Sequence, residues 1–100
     1  MKNIPALDHI IHEASRLTLV AVLKECKMVD FNFLLSATGM SRGNLSTHMS
    51  KLVDARYVKE TKEFVNRKPH TTYELSPAGT AAYKKYLKDW KHLTGKTKKS

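Results

Sequence analysis

The sequence has 100 residues, a length typical of a single domain. Its longest apolar run, "LTLVAVL", is too short to cross a membrane. Asp8, Glu13 and Arg16 interrupt the apolar stretch near the N-terminus, so a secretory signal is not expected and we predict a cytoplasmic protein without membrane contact. Cys26 is the only cysteine, which excludes an internal disulfide and a zinc cluster built on cysteines.

The net charge of +9 is concentrated in the C-terminal part of the chain. Residues 1–40 are neutral, residues 41–75 carry +3 and residues 76–100 carry +6. A positive field of this kind attracts polyanions such as nucleic acids. Lysine-rich segments also serve solubility, so the charge favours DNA binding without identifying it.

The first forty residues predict three helices and a short strand. Apolar residues at helical spacing predict a short helix over Pro5–His12 and a longer one over Glu13–Cys26. A small strand is expected at Met28–Val29. Asp30 is a suitable N-cap for the next helix, which Gly39 ends because glycine readily adopts the left-handed conformation.

A helix-turn-helix arrangement is predicted around Gly39. Ser41 caps a further helix that runs from Arg42 to about Ala55. Its apolar residues recur at i, i+4, i+7 and i+8 and must face the core. These residues are Leu45, Met49, Leu52 and Val53. The turn "TGMS" joins this helix to the preceding one, and the opposite side of the helix is polar.

The remaining chain predicts a β-hairpin and a long helix. Alternating residues indicate a strand over Tyr57–Val65, "NRKP" indicates a turn, and "HTTYEL" indicates the partner strand. Ser76 caps the last helix and Pro77 begins it, and the helix runs to about Leu93. The predicted fold class is therefore mainly α with a small β-hairpin (α+β), in one domain over residues 1–93 with a flexible basic tail over residues 94–100.

The segment "SRGNLSTHMSKLVDARYV", followed by the basic hairpin and "TTYELSPAGTAAY", resembles winged helix-turn-helix transcriptional regulators of the compact single-domain MarR and ArsR type. The resemblance extends from about Leu7 to Leu93. It implies that the Arg42–Ala55 helix is a recognition helix and that the hairpin is the wing. It also implies a homodimer, with the C-terminal helix as an additional dimerisation helix.

The polar side of the predicted recognition helix suits the major groove of double-stranded DNA. Arginine reads guanine, asparagine reads adenine, and serine and threonine adapt to several bases. The candidate DNA-contacting residues of this helix are Ser41, Arg42, Asn44, Ser46, Thr47, Ser50 and Lys51. An ordinary solvated helix face is the alternative interpretation.

Basic residues of the hairpin are candidates for contacts with phosphates or the minor groove. They are Lys62, Arg67, Lys68 and His70. The alternative is a charged edge that prevents aggregation. Glu60 and Glu63 indicate that one face of the first strand does not lie against DNA.

The last helix carries large apolar residues at alternating spacings of three and four, as in a heptad seam. We expect this seam to pack with the N-terminal segment in a homodimer interface. The expected interface residues are Leu7, Ile10, Ile11, Tyr83, Tyr86, Trp90 and Leu93. Alternatively, the seam covers only its own core.

No cofactor or metal is predicted. His9, His12 and Glu13 have a helical spacing that could bind a metal, but the paired cysteines of many metal-sensing ArsR-type proteins are absent. We expect Cys26 to be a small core residue and His48 to be a half-buried structural residue. Catalytic motifs are also absent, so the sequence predicts a protein that is not an enzyme.

The predicted function is a sequence-specific, homodimeric transcription regulator, in its simplest mode a repressor. Two alternatives stay open, namely a chromatin-like protein that binds DNA without sequence preference and a winged-helix module for protein interaction. The sequence names no operator, no regulated gene and no small-molecule effector, and it leaves the existence of an effector open.

Overall fold

A computed structural model describes residues 6–95 as four helices and a three-stranded sheet. In chain order the elements are α1 (Ala14–Cys26), β1 (Met28–Asp30), α2 (Phe31–Thr38), α3 (Arg42–Asp54), β2 (Val58–Val65), β3 (Lys68–Leu75) and α4 (Pro77–Thr94). This is the predicted α+β class. The expected tail lies outside the described residues from residue 96 onward.

The helices after β1 begin at the predicted caps. The side chains of Asp30, Ser41 and Ser76 each accept a hydrogen bond from the backbone amide three residues ahead, at 2.7, 3.1 and 2.9 Å. These bonds satisfy amides that have no partner within the helix. Gly39 ends α2 in the left-handed conformation, at φ 71°, so the predicted helix-turn-helix is confirmed.

The predicted first helix is wrong over its described part, because residues 9–11 form a turn and residues 12–13 a bend. The carboxylate of Asp8 accepts hydrogen bonds from the amides of Ile10 and Ile11, and the amide of His12 donates to the Asp8 carbonyl at 2.7 Å. An aspartate side chain that accepts hydrogen bonds from these amides competes with the backbone carbonyls that would accept them in a helix. Helix α1 starts only at Ala14, with Glu13 as its cap.

The sheet is antiparallel in the order β1-β3-β2, so the short predicted strand joins the hairpin. The hairpin pairs Val58 with Leu75 at its base and Val65 with Lys68 at its tip. The two residues between the strands, Asn66 and Arg67, have φ values of 53° and 65°. A two-residue loop with both φ values positive matches the twist of the flanking strands.

One apolar core fixes the orientation of α3. Leu45, Met49 and Leu52 of α3 are almost completely buried. They pack in the cluster formed by α1, α2, β1 and the base of the hairpin. With this stripe buried, the opposite side of α3 faces solvent, as predicted.

The N-terminus of α4 lies directly on the start of β2. Gly79 is buried, and a methyl group in its place would be 2.0 Å from the carbonyl oxygen of Tyr57. The amide of Ser76 donates to the same oxygen at 2.9 Å, and its hydroxyl donates to the Arg56 carbonyl at 2.7 Å. Glycine at position 79 therefore permits this close approach of helix and strand.

The expectation that Cys26 is a core residue is wrong. The side chain is exposed at the last position of α1. The buried face of that helix consists of Leu19, Val20 and Leu23, and Cys26 lies beyond it. None of the helices within residues 6–95 is both long and apolar enough to span a membrane.

Candidate nucleic-acid interface

The outer face of α3 is formed by the seven predicted helix residues, and every one of them is exposed. Their side chains offer hydrogen-bond donors and acceptors together with the charges of Arg42 and Lys51. Helix α3 contains no carboxylate before Asp54. A helix end with exposed amides and no acidic side chain is suited to phosphates and base edges.

Arg42, at the start of α3, is positioned by an aromatic ring of α2. Its guanidinium carbon lies 5.7 Å from the centroid of Phe31. A cation over a ring face is attracted by the ring quadrupole, so Phe31 restrains the arginine while leaving it exposed.

The same corner connects α3 with the first residues of β3 in the wing, which is the β2–β3 hairpin. A depression of about 270 Å³ lies between the starts of α2 and α3 and one side of β3. Arg42 and His70 both line it, together with Thr71. The structure therefore places one predicted recognition-helix residue, Arg42, and one predicted wing residue, His70, around the same depression.

The predicted wing residues do not form a single face. Lys62, Arg67 and Lys68 are exposed, whereas His70 is half-buried. In the strand register His70 lies opposite Glu63, and Lys62 lies one residue earlier on β2. Because successive residues of a strand point to opposite faces, Lys62 and the Glu63–His70 pair lie on different sides of the hairpin.

The back of α3 is connected to α1 through a polar cluster at His48. The Arg16 guanidinium donates to His48 Nδ1 at 3.1 Å, and its Nε donates to the Ile10 carbonyl at 2.6 Å. Glu13 Oε1 lies 3.7 Å from the same His48 nitrogen. His48 is therefore half-buried and structural, as predicted.

Glu13 is held in its ionised form at this junction. The hydrogen bond from the backbone amide of Arg16 lowers the pKa of Glu13, and this effect exceeds the opposing effect of burial. A charged Glu13 thus caps α1 and faces the positive charge of Arg16.

The predicted dimer residues fall into three groups by their exposure. Ile11 and Tyr86 are buried within the chain, and Tyr86 Oη lies 2.8 Å from His12 Nδ1. Leu7, Ile10 and Tyr83 are half-buried. By contrast, Trp90 and Leu93 are each 41% exposed, as is the neighbouring Leu87.

Of these exposed residues, Leu87 and Trp90 border an open, mainly apolar cleft of about 480 Å³ between α4 and the start of α1. His12 stands beside Trp90 in this cleft, with ring centroids 6.0 Å apart. The lining residues are His12, Glu13, Ala14, Leu17, Tyr86, Leu87 and Trp90.

A second contact fastens the N-terminal turn to the core. The Tyr57 hydroxyl donates to the Asp8 carboxylate, and this bond, together with burial, raises the pKa of Tyr57 to about 12. Burial alone would raise the pKa of Asp8. The hydrogen bonds from Tyr57 and from the amides of Ile11 and Ile10 outweigh it, so the pKa of Asp8 is lowered.

No group of three His, Cys, Asp or Glu side chains that could hold a metal ion occurs in the part of the chain between residues 6 and 95.

The comparison with protein families identifies the fold. A family described as a winged helix DNA-binding domain matches residues 15–94. The chain belongs to this family. The matched segment of the winged helix contains α3, the wing and α4.

The winged helix is similar to solved structures and to a further archaeal protein. A transcriptional regulator homologue from Pyrococcus horikoshii superposes with a TM-score of 0.81 at 25% identity, covering 88% of this chain and 87% of that one. A MarR mutant from Escherichia coli complexed with operator DNA has a TM-score of 0.66 at 14% identity, covering 82% of this chain and 61% of that one. An uncharacterized protein from Methanocaldococcus jannaschii is 26% identical over 78 residues, which are 78% of this chain and 85% of the relative.

Three residues of the site escaped the sequence analysis. Phe31 supports Arg42 from eleven positions away, and no sequence pattern links the two. Arg16 joins α1 to α3 through His48, which likewise depends on tertiary packing. Phe64 is exposed near the tip of the wing, and the alternation of β2 was sufficient to place it on the same face as Lys62.

Proposed function

We propose that this protein is a homodimeric transcription regulator, in its simplest mode a repressor, that binds specific sites on double-stranded DNA. Helix α3 enters the major groove, and the wing contacts the backbone or the minor groove. The protein acts by binding and not as an enzyme.

The observation that carries the proposal is the outer face of α3. Its buried stripe holds the helix firmly in the core, while seven polar or basic side chains are exposed on the other side. Arg42 is restrained by Phe31 at the helix start, where a recognition helix meets base edges. A restrained arginine loses less side-chain freedom when it binds a guanine in the bidentate manner.

The dimer is supported by the exposed apolar surface of α4. Leu87, Trp90 and Leu93 lie at spacings of three on the second half of an 18-residue helix. Burying them against a second copy would remove apolar area from water, and two of them, Trp90 and Leu93, belong to the seam predicted from the sequence. A two-fold dimer would place two α3 helices one DNA turn apart, about 34 Å.

The experiment is fluorescence anisotropy of the purified protein with labelled DNA across a salt series. One duplex comes from the region upstream of the protein's own gene, and the other is a scrambled version. Tight binding to the first duplex that survives moderate salt supports a regulator and locates its operator.

Two outcomes would contradict the proposal. Equal binding to both duplexes, lost steeply as salt rises, would indicate phosphate contacts and a chromatin-like role. Absence of binding to either would favour the protein-interaction module. In parallel, the protein is used to select binding sites from a pool of random duplexes, so that the test does not depend on the chosen upstream region.

A further inference from the structure

The wing carries an unusually exposed aromatic side chain. Phe64 is 77% exposed, and no other large hydrophobic residue within residues 6–95 is as exposed. An isolated apolar side chain on a surface needs no explanation. Phe64 differs because it stands at the protruding end of a two-stranded ribbon with an apolar residue opposite it.

The strand register places Phe64 on a defined face of the hairpin. Its cross-strand partner is Pro69, and the next pair toward the core on the same face is Lys62 with Thr71. Further along this face lie Val58 and Tyr73, which are buried in the core. Phe64 lies six positions after Val58 and four positions after Glu60, the strand partner of Tyr73. Its ring is therefore about 13 Å along the strand from the nearest core residue of this face.

The surroundings of Phe64 are positively charged. Lys62 lies on the same face, and Arg67 and Lys68 follow in the turn and at the start of β3. Of the two carboxylates of β2, that of Glu63 belongs to the opposite face, across from His70, and that of Glu60 lies on the Phe64 face beside Tyr73, two pairs closer to the core. The cations Lys62, Arg67 and Lys68 are therefore closer to the tip than the acidic residue of this face. An apolar pair surrounded by cations is complementary to the minor groove, whose walls are sugars and whose rims are phosphates.

We propose that Phe64, supported by Pro69, is an apolar wedge that packs into the minor groove of bound DNA. The cations around it hold the two phosphate strands, and the phenyl ring contacts the sugars and the edge of a base step. The minor groove is about 6 Å wide, so it admits side chains of the tip and not the whole ribbon. Partial unstacking costs least at pyrimidine–purine steps, and the wedge therefore favours operators with such a step under the wing.

This inference rests on the proposed DNA binding, and its test separates the two. Phe64→Ala, Phe64→Leu and Val65→Ala are compared with the wild type. Val65 is the matched control, because it is the next residue, is 46% exposed and lies on the other face of the strand. The probe is a duplex selected by the wild-type protein from a random pool, with 2-aminopurine at the flanking steps to report unstacking.

Phe64→Ala is expected to weaken binding about tenfold, since a phenyl ring loses its buried apolar contact. The slope of affinity against salt should stay unchanged, because no phosphate contact is removed. The 2-aminopurine signal seen with the wild type should disappear. Phe64→Leu should retain most of the affinity, and Val65→Ala should behave like the wild type.

Three results would overturn the inference. If Phe64→Ala and Val65→Ala bind equally well, the ring does not contact DNA, although the proposed function survives. If the wild type gives no 2-aminopurine change, no step is unstacked. If light scattering shows that Phe64→Ala alters the oligomeric state, the wing tip is a self-association surface. Failure of the wild type to bind any DNA would instead refute the proposed function itself.

Discussion

Gly79→Ala is predicted to displace α4 from the start of β2. The added methyl group would lie 2.0 Å from the Tyr57 carbonyl oxygen, and it also meets the Tyr57 carbonyl carbon at 2.8 Å. The obstacle is backbone, so it cannot rotate away as a side chain would. Helix and strand must separate by about 1 Å or more before the contact becomes tolerable.

The cost follows from the contacts that this separation disturbs. Overpacking in a well-packed site costs about 1–3 kcal/mol. The two hydrogen bonds from Ser76 to the carbonyls of Tyr57 and Arg56 would lengthen, at about 1 kcal/mol each. The better helix propensity of alanine offsets about 1 kcal/mol of this loss in the free energy of unfolding. The expected net loss is about 2–4 kcal/mol, or roughly 10–25 °C in Tm for a chain of this size.

The assay is thermal and urea denaturation followed by circular dichroism. Gly43→Ala is the matched control, because a methyl group there meets nothing within 4 Å and φ is not positive. That variant should be as stable as the wild type or up to about 1 kcal/mol more stable. A Gly79→Ala protein with an unchanged or higher Tm would refute the close approach of α4 to β2.

Other variants test the remaining contacts. Tyr57 and Tyr73 both have a pKa raised to about 12, Tyr57 mainly by its hydrogen bond to a carboxylate and Tyr73 mainly by burial. Their folded states hold the proton more tightly than the unfolded chain, so the stability they contribute is complete below about pH 10 and is lost as the pH rises toward 12. Urea unfolding across this range should show a smaller alkaline loss for Tyr57→Phe, and an unchanged loss would contradict the assignment. Arg16→Ala should lower the free energy of unfolding in urea by about 2 kcal/mol, since it removes a charge-assisted hydrogen bond to a backbone carbonyl. A loss below about 0.5 kcal/mol, the size expected for a neutral surface change, would show that the cluster around His48 is unimportant for stability. Leu93→Asp should convert the proposed dimer to a monomer, as measured by light scattering. Lys88→Asp should not, because Lys88 is also exposed on α4 but lies outside the seam. If the two variants have the same oligomeric state, the interface lies elsewhere.

The sequence was sufficient for most of the local structure because that structure depends on short-range chemistry. Asp30, Ser41 and Ser76 cap their helices through amides three residues away. The apolar stripe of α3 follows the helical period, so its buried and exposed sides could both be predicted. The exposure of the candidate DNA-binding face was thus predictable before any tertiary contact was known.

The errors arose where tertiary contacts or side-chain competition decide the structure. The first predicted helix fails because the Asp8 side chain takes the amides of the turn and bonds to Tyr57 across 49 positions of the chain. The heptad spacing of α4 suggested one continuous interface. Yet Tyr86 is buried within the chain, with its hydroxyl 2.8 Å from His12 Nδ1, while Trp90 is exposed, and this division depends on tertiary packing.

The role of Gly79 was equally invisible in the sequence. A glycine in the first turn of a helix usually affects stability only through its low helix propensity. Here it marks the place where a helix backbone approaches a strand carbonyl.

The most direct test of the account compares Arg42→Ala with Lys88→Ala in the anisotropy assay on selected and scrambled duplexes. Both variants remove one positive charge from an exposed position, but only Arg42 belongs to the outer face of α3. We expect Arg42→Ala to lose about 1–3 kcal/mol of binding to the selected duplex and to bind both duplexes more equally. Lys88→Ala should keep the full preference. The same sequence preference in both variants would contradict the assignment of α3 as the element that reads DNA.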